Sequence, residues 1–170
     1  MILRASTTGD IEALQQVEAA AARRFLAVPE LTFLAQAGVT DARTHRDAIE
    51  QSLSWLVAGS DGRIRGFCYC QPHQSSLYLA EISTHPDFQR TGVGRTLLGA
   101  VFEYARRLNV KEVTLTTYRD VPWNAPWYRR HGFERVETHE LSVALAECLR
   151  HQQEEGLMVL PRCAMRYLLG

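Results

Sequence analysis

HPDFQRTGVGRTLL, residues 85–98, passes from a Pro-Asp turn through two glycines within three residues and straight into an amphipathic helix. A helix entered this way has first-turn N–H groups with no intrahelical acceptor, pointing outward from the helix end. Gly92 and Gly94 let a ligand reach the main chain without meeting a β-carbon. The helix dipole adds partial positive charge, worth about 0.3–1 kcal/mol for a nearby anion. Arg90 and Arg95 add full charges, so a diphosphate is the natural occupant. The segment lacks the Lys-Ser/Thr pair of a nucleoside-triphosphate loop and the third glycine of a dinucleotide fingerprint. At this level the competing reading is a tight strand-to-helix turn whose glycines serve geometry alone.

The surrounding chain alternates strands and helices. ILRAS is a strand, and a helix capped by Asp10 or a neighbouring Thr buries Ile11, Leu14, Val17, Ala21 and Phe25, with Pro29 ending it. Thr44 and Asp47 have the spacing of a capping box for a helix reaching about Ser52. SWLVA, RIRGFCYCQ and LYLAEIST, separated by turn-forming residues, make a three-strand antiparallel meander. The helix from Val93 puts Leu97, Val101, Tyr104 or Ala105, and Leu108 on one face and stops at Asn109 in the left-handed conformation. EVTLTTY is a strand, and the prolines of DVPWNAPWYRRHGF leave room only for a short helix closed by Gly132. FERVETH is a strand, SVALAECLRHQQEE a helix stopped by Gly156, and RCAMRYLL a last strand that could serve an interface between two copies. This order predicts one mixed α/β domain over residues 1–170, with helices on both faces of a sheet.

Composition narrows the function classes. At 170 residues the chain can bury about 70% of the surface its unfolded form exposes. Nineteen basic residues balance nineteen acidic ones, so no global field draws a nucleic acid. No run of 18 apolar residues and no leader pattern occurs, which predicts a cytoplasmic protein that neither spans a membrane nor is secreted. Cys68, Cys70, Cys148 and Cys163 are too few and too irregular for a disulfide framework and read as reduced thiols. His85 and His131 have no metal-ligand company, so no metal is expected.

Gln89-Arg90-Thr91-Gly92-Val93-Gly94 resembles the Gln/Arg-x-x-Gly-x-Gly/Ala signature of the GNAT acetyltransferase superfamily. WYRRHGFERV resembles that family's short helix with a Tyr four residues before Gly-Phe. The resemblance implies a predominantly antiparallel sheet with a central splayed parallel pair, a bulge parting LAEIST from VTLTTY. It implies acetyl-CoA as acetyl donor, its pyrophosphate on the backbone of Gln89, Arg90, Thr91, Gly92, Val93, Gly94 and Arg95. Its pantetheine arm would pair with the backbone of Ile82 and Thr84. Tyr128 would protonate the departing thiolate, a transfer favoured only once the thiolate forms, since a phenol titrates near pH ~10 and a thiol near ~8.5.

The acceptor implied is a primary amine of a small molecule or peptide, whose deprotonation at pH ~7 costs about 4 kcal/mol. Glu81 is the first candidate for the base, against a structural or water-positioning role, and a solvent relay is the alternative. Many relatives carry a catalytic Glu or His where Tyr78 stands here. Relatives often have a cofactor-binding Asn seven residues before the Tyr, a place held by Val121, so Asn124 either reaches the cofactor or caps the short helix. Glu18 interrupts the apolar stripe of its helix, which makes it a candidate for holding the acceptor ammonium, against a boundary residue reaching solvent. The implied activity is direct transfer in a ternary complex; the alternative is an acetyl-CoA sensor without turnover.

Overall fold

The protein is described as a computed structural model covering Met1–Gly170. Its strands are β1 (Ile2–Ala5), β2 (Ser54–Ala58), β3 (Ile64–His73), β4 (Ser76–Thr84), β5 (Glu112–Tyr118), β6 (Glu134–Val136) and β7 (Arg162–Leu168). The α-helices are α1 (Ile11–Ala22), α2 (Ala42–Glu50), α3 (Val93–Arg107), α4 (Ala125–Arg130) and α5 (Val143–Glu154). One seven-stranded sheet has the order β1-β2-β3-β4-β5-β7-β6. β4 and β5 run parallel through Ser76–Glu112, Leu77–Val113 and Tyr78–Thr114, while β1–β2, β2–β3, β5–β7 and β6–β7 are antiparallel. The element order predicts the mixed α/β sheet, and the one parallel pair is what the resemblance implies. Two compact units make up the chain, Met1–Gln71 with Leu79–Glu103, and Pro72–Tyr78 with Tyr104–Gly170.

In the first unit the strand period sets two faces. Leu56, Ala58, Phe67 and Tyr69 meet Leu14 and Val17 of α1 and Ala48 of α2 in one cluster. Each of the larger side chains contributes about 1.5–3 kcal/mol by leaving water. On the opposite face Gly66 admits α3: a β-carbon there would lie 2.6 Å from Val93 Cγ1 and 2.9 Å from the Ser83 carbonyl oxygen. Gly66→Ala is therefore expected to destabilise the protein by about 1–3 kcal/mol through overpacking. A lower urea midpoint at unchanged slope is the readout.

Three local features depart from the sequence reading or add to it. Asp41, not Thr44, caps α2, its carboxylate accepting from the Thr44 amide at 2.7 Å. The helix starts three residues earlier than a Thr44 cap predicts because Asp41 has the extended backbone a cap requires and Thr44 is already helical. α1 stops at Ala22 and tightens into a 3₁₀ run over Arg23–Ala27, so the apolar stripe turns before Phe25. The register slips at Val57/Ala58, where Val57 pairs Gly66 but Ala58 pairs Ile64, leaving Arg65 as an extra residue in β3.

His45 of α2 is wholly buried, edge-on to Phe67 and Tyr69 with both ring centroids 5.5 Å away. Neither ring nitrogen has a hydrogen-bond partner, and burial pushes its pKa below the ordinary histidine value, with Asp41 opposing weakly. The folded state thus holds this imidazole neutral while the unfolded chain takes a proton near pH ~6.5. Below that pH the unfolded state binds more protons, so stability is lost as pH falls. Unfolding titrations between pH 7.5 and 5.5, a range of about one unit either side of that value, are expected to show a shallower decline for His45→Leu than for wild type. His73 is shifted in the same direction by burial, and the difference between the two proteins isolates His45.

In the second unit β5 is flanked on both faces. Thr117 turns to α4, where its hydroxyl donates to Asn124 Oδ1 at 2.9 Å. Thr116 turns to α5, where it accepts from Gln152 Nε2 at 2.8 Å. Gly132 closes α4 with φ +94°, and a β-carbon there would lie 2.8 Å from the Tyr167 ring. Asn109 ends α3 with φ +55° and Gly156 follows α5 with φ +79°, as their positions in the sequence predict.

Candidate active site

Between β4 and α3 the chain makes a 3₁₀ turn at Pro86–Phe88, capped by His85 Nδ1 accepting from the Asp87 amide at 3.2 Å. Arg90 and Gly92 then take positive φ values of +63° and +91°. The helix bonding begins with the Thr96 amide, which donates to the Gly92 carbonyl at 3.0 Å while the Thr96 hydroxyl donates to the same oxygen at 2.9 Å. No protein acceptor takes the amides of Gly92, Val93, Gly94 or Arg95. A β-carbon at Gly92 would meet nothing within 4 Å, so the approach to this main chain is open. Fifteen residues of α3 stand behind these donors with their dipole aligned.

Cations gather around this loop although the chain is neutral overall. The Arg65 and Arg63 guanidinium carbons lie 4.7 and 5.3 Å from the Phe88 ring centre, and the Arg65 carbonyl accepts from the His85 amide at 2.8 Å. Burial and the neighbouring charge of Arg90 hold Arg24 below the ordinary guanidinium range. Arg63, just before β3, and Arg65, the unpaired residue within it, carried no signal in the sequence.

On β4 the Ser83 hydroxyl donates to Glu81 Oε1 at 2.8 Å, on the face that also buries Leu79. Ile82 and Thr84 alternate to the other face, both half-buried. Glu18 is engaged inside the protein: its carboxylate accepts from the Thr40 amide at 3.0 Å and from the Thr40 hydroxyl at 3.0 Å. Gln15 donates to the Thr40 carbonyl at 3.0 Å, so α1 latches the segment that follows a further 3₁₀ run over Pro29–Gln36. Burial raises the Glu18 pKa and the Thr40 hydrogen bonds oppose it. Glu18 thus anchors the Thr40 segment with its carboxylate.

In the second unit Tyr128 sits in the middle of α4, edge-on to Trp127 at 5.1 Å and to Phe133 at 5.5 Å. The Phe133 amide donates to the Tyr128 carbonyl at 3.1 Å, which fixes the turn that carries Gly132. Asn124 precedes α4 but does not cap it with its side chain. Its Oδ1 accepts from the Thr117 hydroxyl and from the Tyr118 amide at 3.3 Å instead, tying α4 to the end of β5 and leaving its two amide hydrogens for another acceptor.

Tyr78 is buried, stacked on His73 with ring centres 4.5 Å apart and hydrogen-bonded to Thr116 Oγ1 at 2.8 Å. Burial pushes its phenol up to about 12, against the Thr116 hydrogen bond, so it stays protonated and cannot serve as a base near neutral pH. All four cysteines are free thiols, and burial raises the pKa of each.

The acetyltransferase (GNAT) family profile matches residues 14–133, which include both the glycine loop and the Tyr128 helix. The chain belongs to the GNAT acetyltransferase family. Acetyl-CoA is the acetyl donor of the GNAT family, and the unpartnered amides and open Gly92 of this chain suit its diphosphate. An amino-acid acetyltransferase of Aeromonas salmonicida is 27% identical over 104 residues, 59% of this chain. The chain covers only 23% of that longer relative. Among solved structures, the PaiA N-acetyltransferase of Thermoplasma acidophilum in complex with coenzyme A aligns over 99% of this chain and 98% of its own, at TM-score 0.71 and 14% identity. N-acetylglutamate synthase of Neisseria gonorrhoeae, complexed with coenzyme A and N-acetyl-glutamate, aligns over 99% of this chain and 35% of its own, at TM-score 0.70 and 16% identity. GNAT members thus share this fold across wide sequence distance. No group of three or more metal-ligating side chains is assembled, and no helix is long and apolar enough to cross a membrane.

Proposed function

We propose that the chain is an N-acetyltransferase that moves the acetyl group of acetyl-CoA directly to the primary amine of a small molecule, with free amino acids as the acceptor class. The run of unpartnered amides from Gly92 to Arg95 at the head of α3 carries this reading. These donors, with those of Gln89, Arg90 and Thr91, receive the diphosphate, and Arg24, Arg90 and Arg95 supply the balancing charge. The main chain of Ile82 and Thr84 pairs with the pantetheine amides. The two remaining amide hydrogens of Asn124 are the donors this reading assigns to the cofactor. Tyr128 supplies a proton to the departing sulfur. Glu81, oriented by Ser83, receives the ammonium proton directly or through water, a task closed to Tyr78 by its raised pKa. The names of the amino-acid acetyltransferase relatives support the acceptor class.

The test is acetyl transfer from labelled acetyl-CoA to a panel of free amino acids, polyamines and peptides with free N-termini, followed by thiol release. Transfer to one or more amino acids is expected. Tight CoA binding without transfer to any amine would instead make the chain a sensor of the cofactor, and transfer confined to peptides would move the acceptor class.

A further inference from the structure

Arg162, at the start of β7, is held differently from the arginines around it. Its Nε donates to Gln152 Oε1 at 2.9 Å, and its guanidinium carbon lies 4.3 Å over the ring of Tyr118. Arg166, on the same face of the same strand, spends its guanidinium on Glu134 at 2.8 Å and Glu140 at 2.9 Å. Where Arg166 has two carboxylates, Arg162 has a neutral amide and an aromatic plane. Both fix the orientation of the guanidinium without neutralising it.

The supports are themselves fixed. Gln152 donates to Thr116 Oγ1 at 2.8 Å, and that oxygen is bonded to Tyr78 at 2.8 Å. Tyr118 is 2% exposed and donates its hydroxyl to the Leu157 carbonyl at 2.8 Å. Nε is used on Gln152 and the guanidinium also hydrogen-bonds the Tyr118 side chain, and the outer edge formed by the two terminal nitrogens matches the two oxygens of a carboxylate. A lysine in this place would offer charge without that fork. The β5 register puts Tyr118 and Thr116 on one face and Thr117, which holds Asn124 and α4, on the other. Arg162 therefore sits on the α5 face, along with Tyr78, away from the face that carries Tyr128.

We propose that Arg162 is the residue that receives the carboxylate of the acceptor, which makes the substrate class an amine bearing a free carboxylate. The assignment rests on the acetyltransferase reading above and adds to it the recognition residue and the required charge. Gln152, Thr116 and Tyr78 are positioning residues that hold the fork.

The experiment uses the whole protein and calorimetric titration in two stages. Coenzyme A is titrated first. A panel of N-acetyl-amino acids, each paired with its carboxamide, is then titrated into the CoA-saturated protein. The best-binding acid is expected to lose at least tenfold in affinity on amidation. Arg162→Gln is expected to weaken the acid by a similar factor, to leave the carboxamide unchanged and to keep CoA affinity within threefold of wild type, while Arg162→Lys recovers part of the loss. Carboxylates that bind no better than carboxamides overturn the proposal, a result read on wild type alone even if the variants fold poorly. Loss of CoA affinity rather than acid affinity in Arg162→Gln also overturns it, by assigning the guanidinium to a cofactor phosphate. Failure of wild type to bind CoA overturns the acetyltransferase reading instead, and the acid and carboxamide pairs titrated without CoA then decide Arg162 separately.

Discussion

Gly92→Val is expected to weaken coenzyme A binding by about 30- to 1000-fold. Gly92 holds φ +91°, a conformation that costs a residue with a β-carbon about 1–2 kcal/mol, and a β-branched residue at least that. The chain relieves this strain by rotating the peptide units on either side, and these carry the donors of the loop. Each hydrogen bond to a charged oxygen is worth about 1.5–3 kcal/mol, so losing one or two at about 2 kcal/mol apiece gives the stated range at about 1.4 kcal/mol per tenfold. Gly38 provides the control, because it has the same φ of +91° with nothing within 4 Å of its β-carbon position. Gly38→Val is expected to lose similar stability with unchanged affinity. Calorimetry that finds full CoA affinity in Gly92→Val removes the glycine loop from the binding site.

Tyr128→Phe is expected to lower kcat by about 100-fold or more, the usual scale for deleting a positioned general acid. Acetyl-CoA affinity should stay within about threefold, since the edge-on contacts to Trp127 and Phe133 involve the ring and survive the change. The effect should shrink with a thioester whose leaving thiol is more acidic, because such a thiolate departs without a proton. Steady-state rates with both donors decide the matter, and equal turnover in the two proteins would show that Tyr128 only packs.

The positions of the elements were readable because each rests on near neighbours. The apolar spacing of Leu14 and Val17, the turn glycines at Gly132 and Gly156 and the left-handed Asn109 act within a few residues of themselves. The Asp41 cap was missed because Thr44 and Asp47 have the same spacing pattern, and only the backbone angles distinguish a cap from a first-turn residue. Asn124 shows the same limit. Its place before α4 leaves a cap and a cofactor contact both open, and the end of β5 takes its oxygen with an amide and a hydroxyl.

By itself the sequence determined the strand and helix order, the glycine loop and the helix bearing Tyr128, since turn chemistry and hydrophobic period are properties of short segments. Only the tertiary structure decided which polar side chains are already spent and which remain available. Glu18 is consumed by Thr40, Tyr78 by Thr116 and Arg166 by two glutamates, whereas Arg162 keeps its fork and α3 its first amides. Those partners lie from 22 to 38 residues away along the chain, or on the far side of a strand. Hydrogen bonding saturates, so a group's availability depends on everything folded against it and cannot be read from its neighbours in sequence.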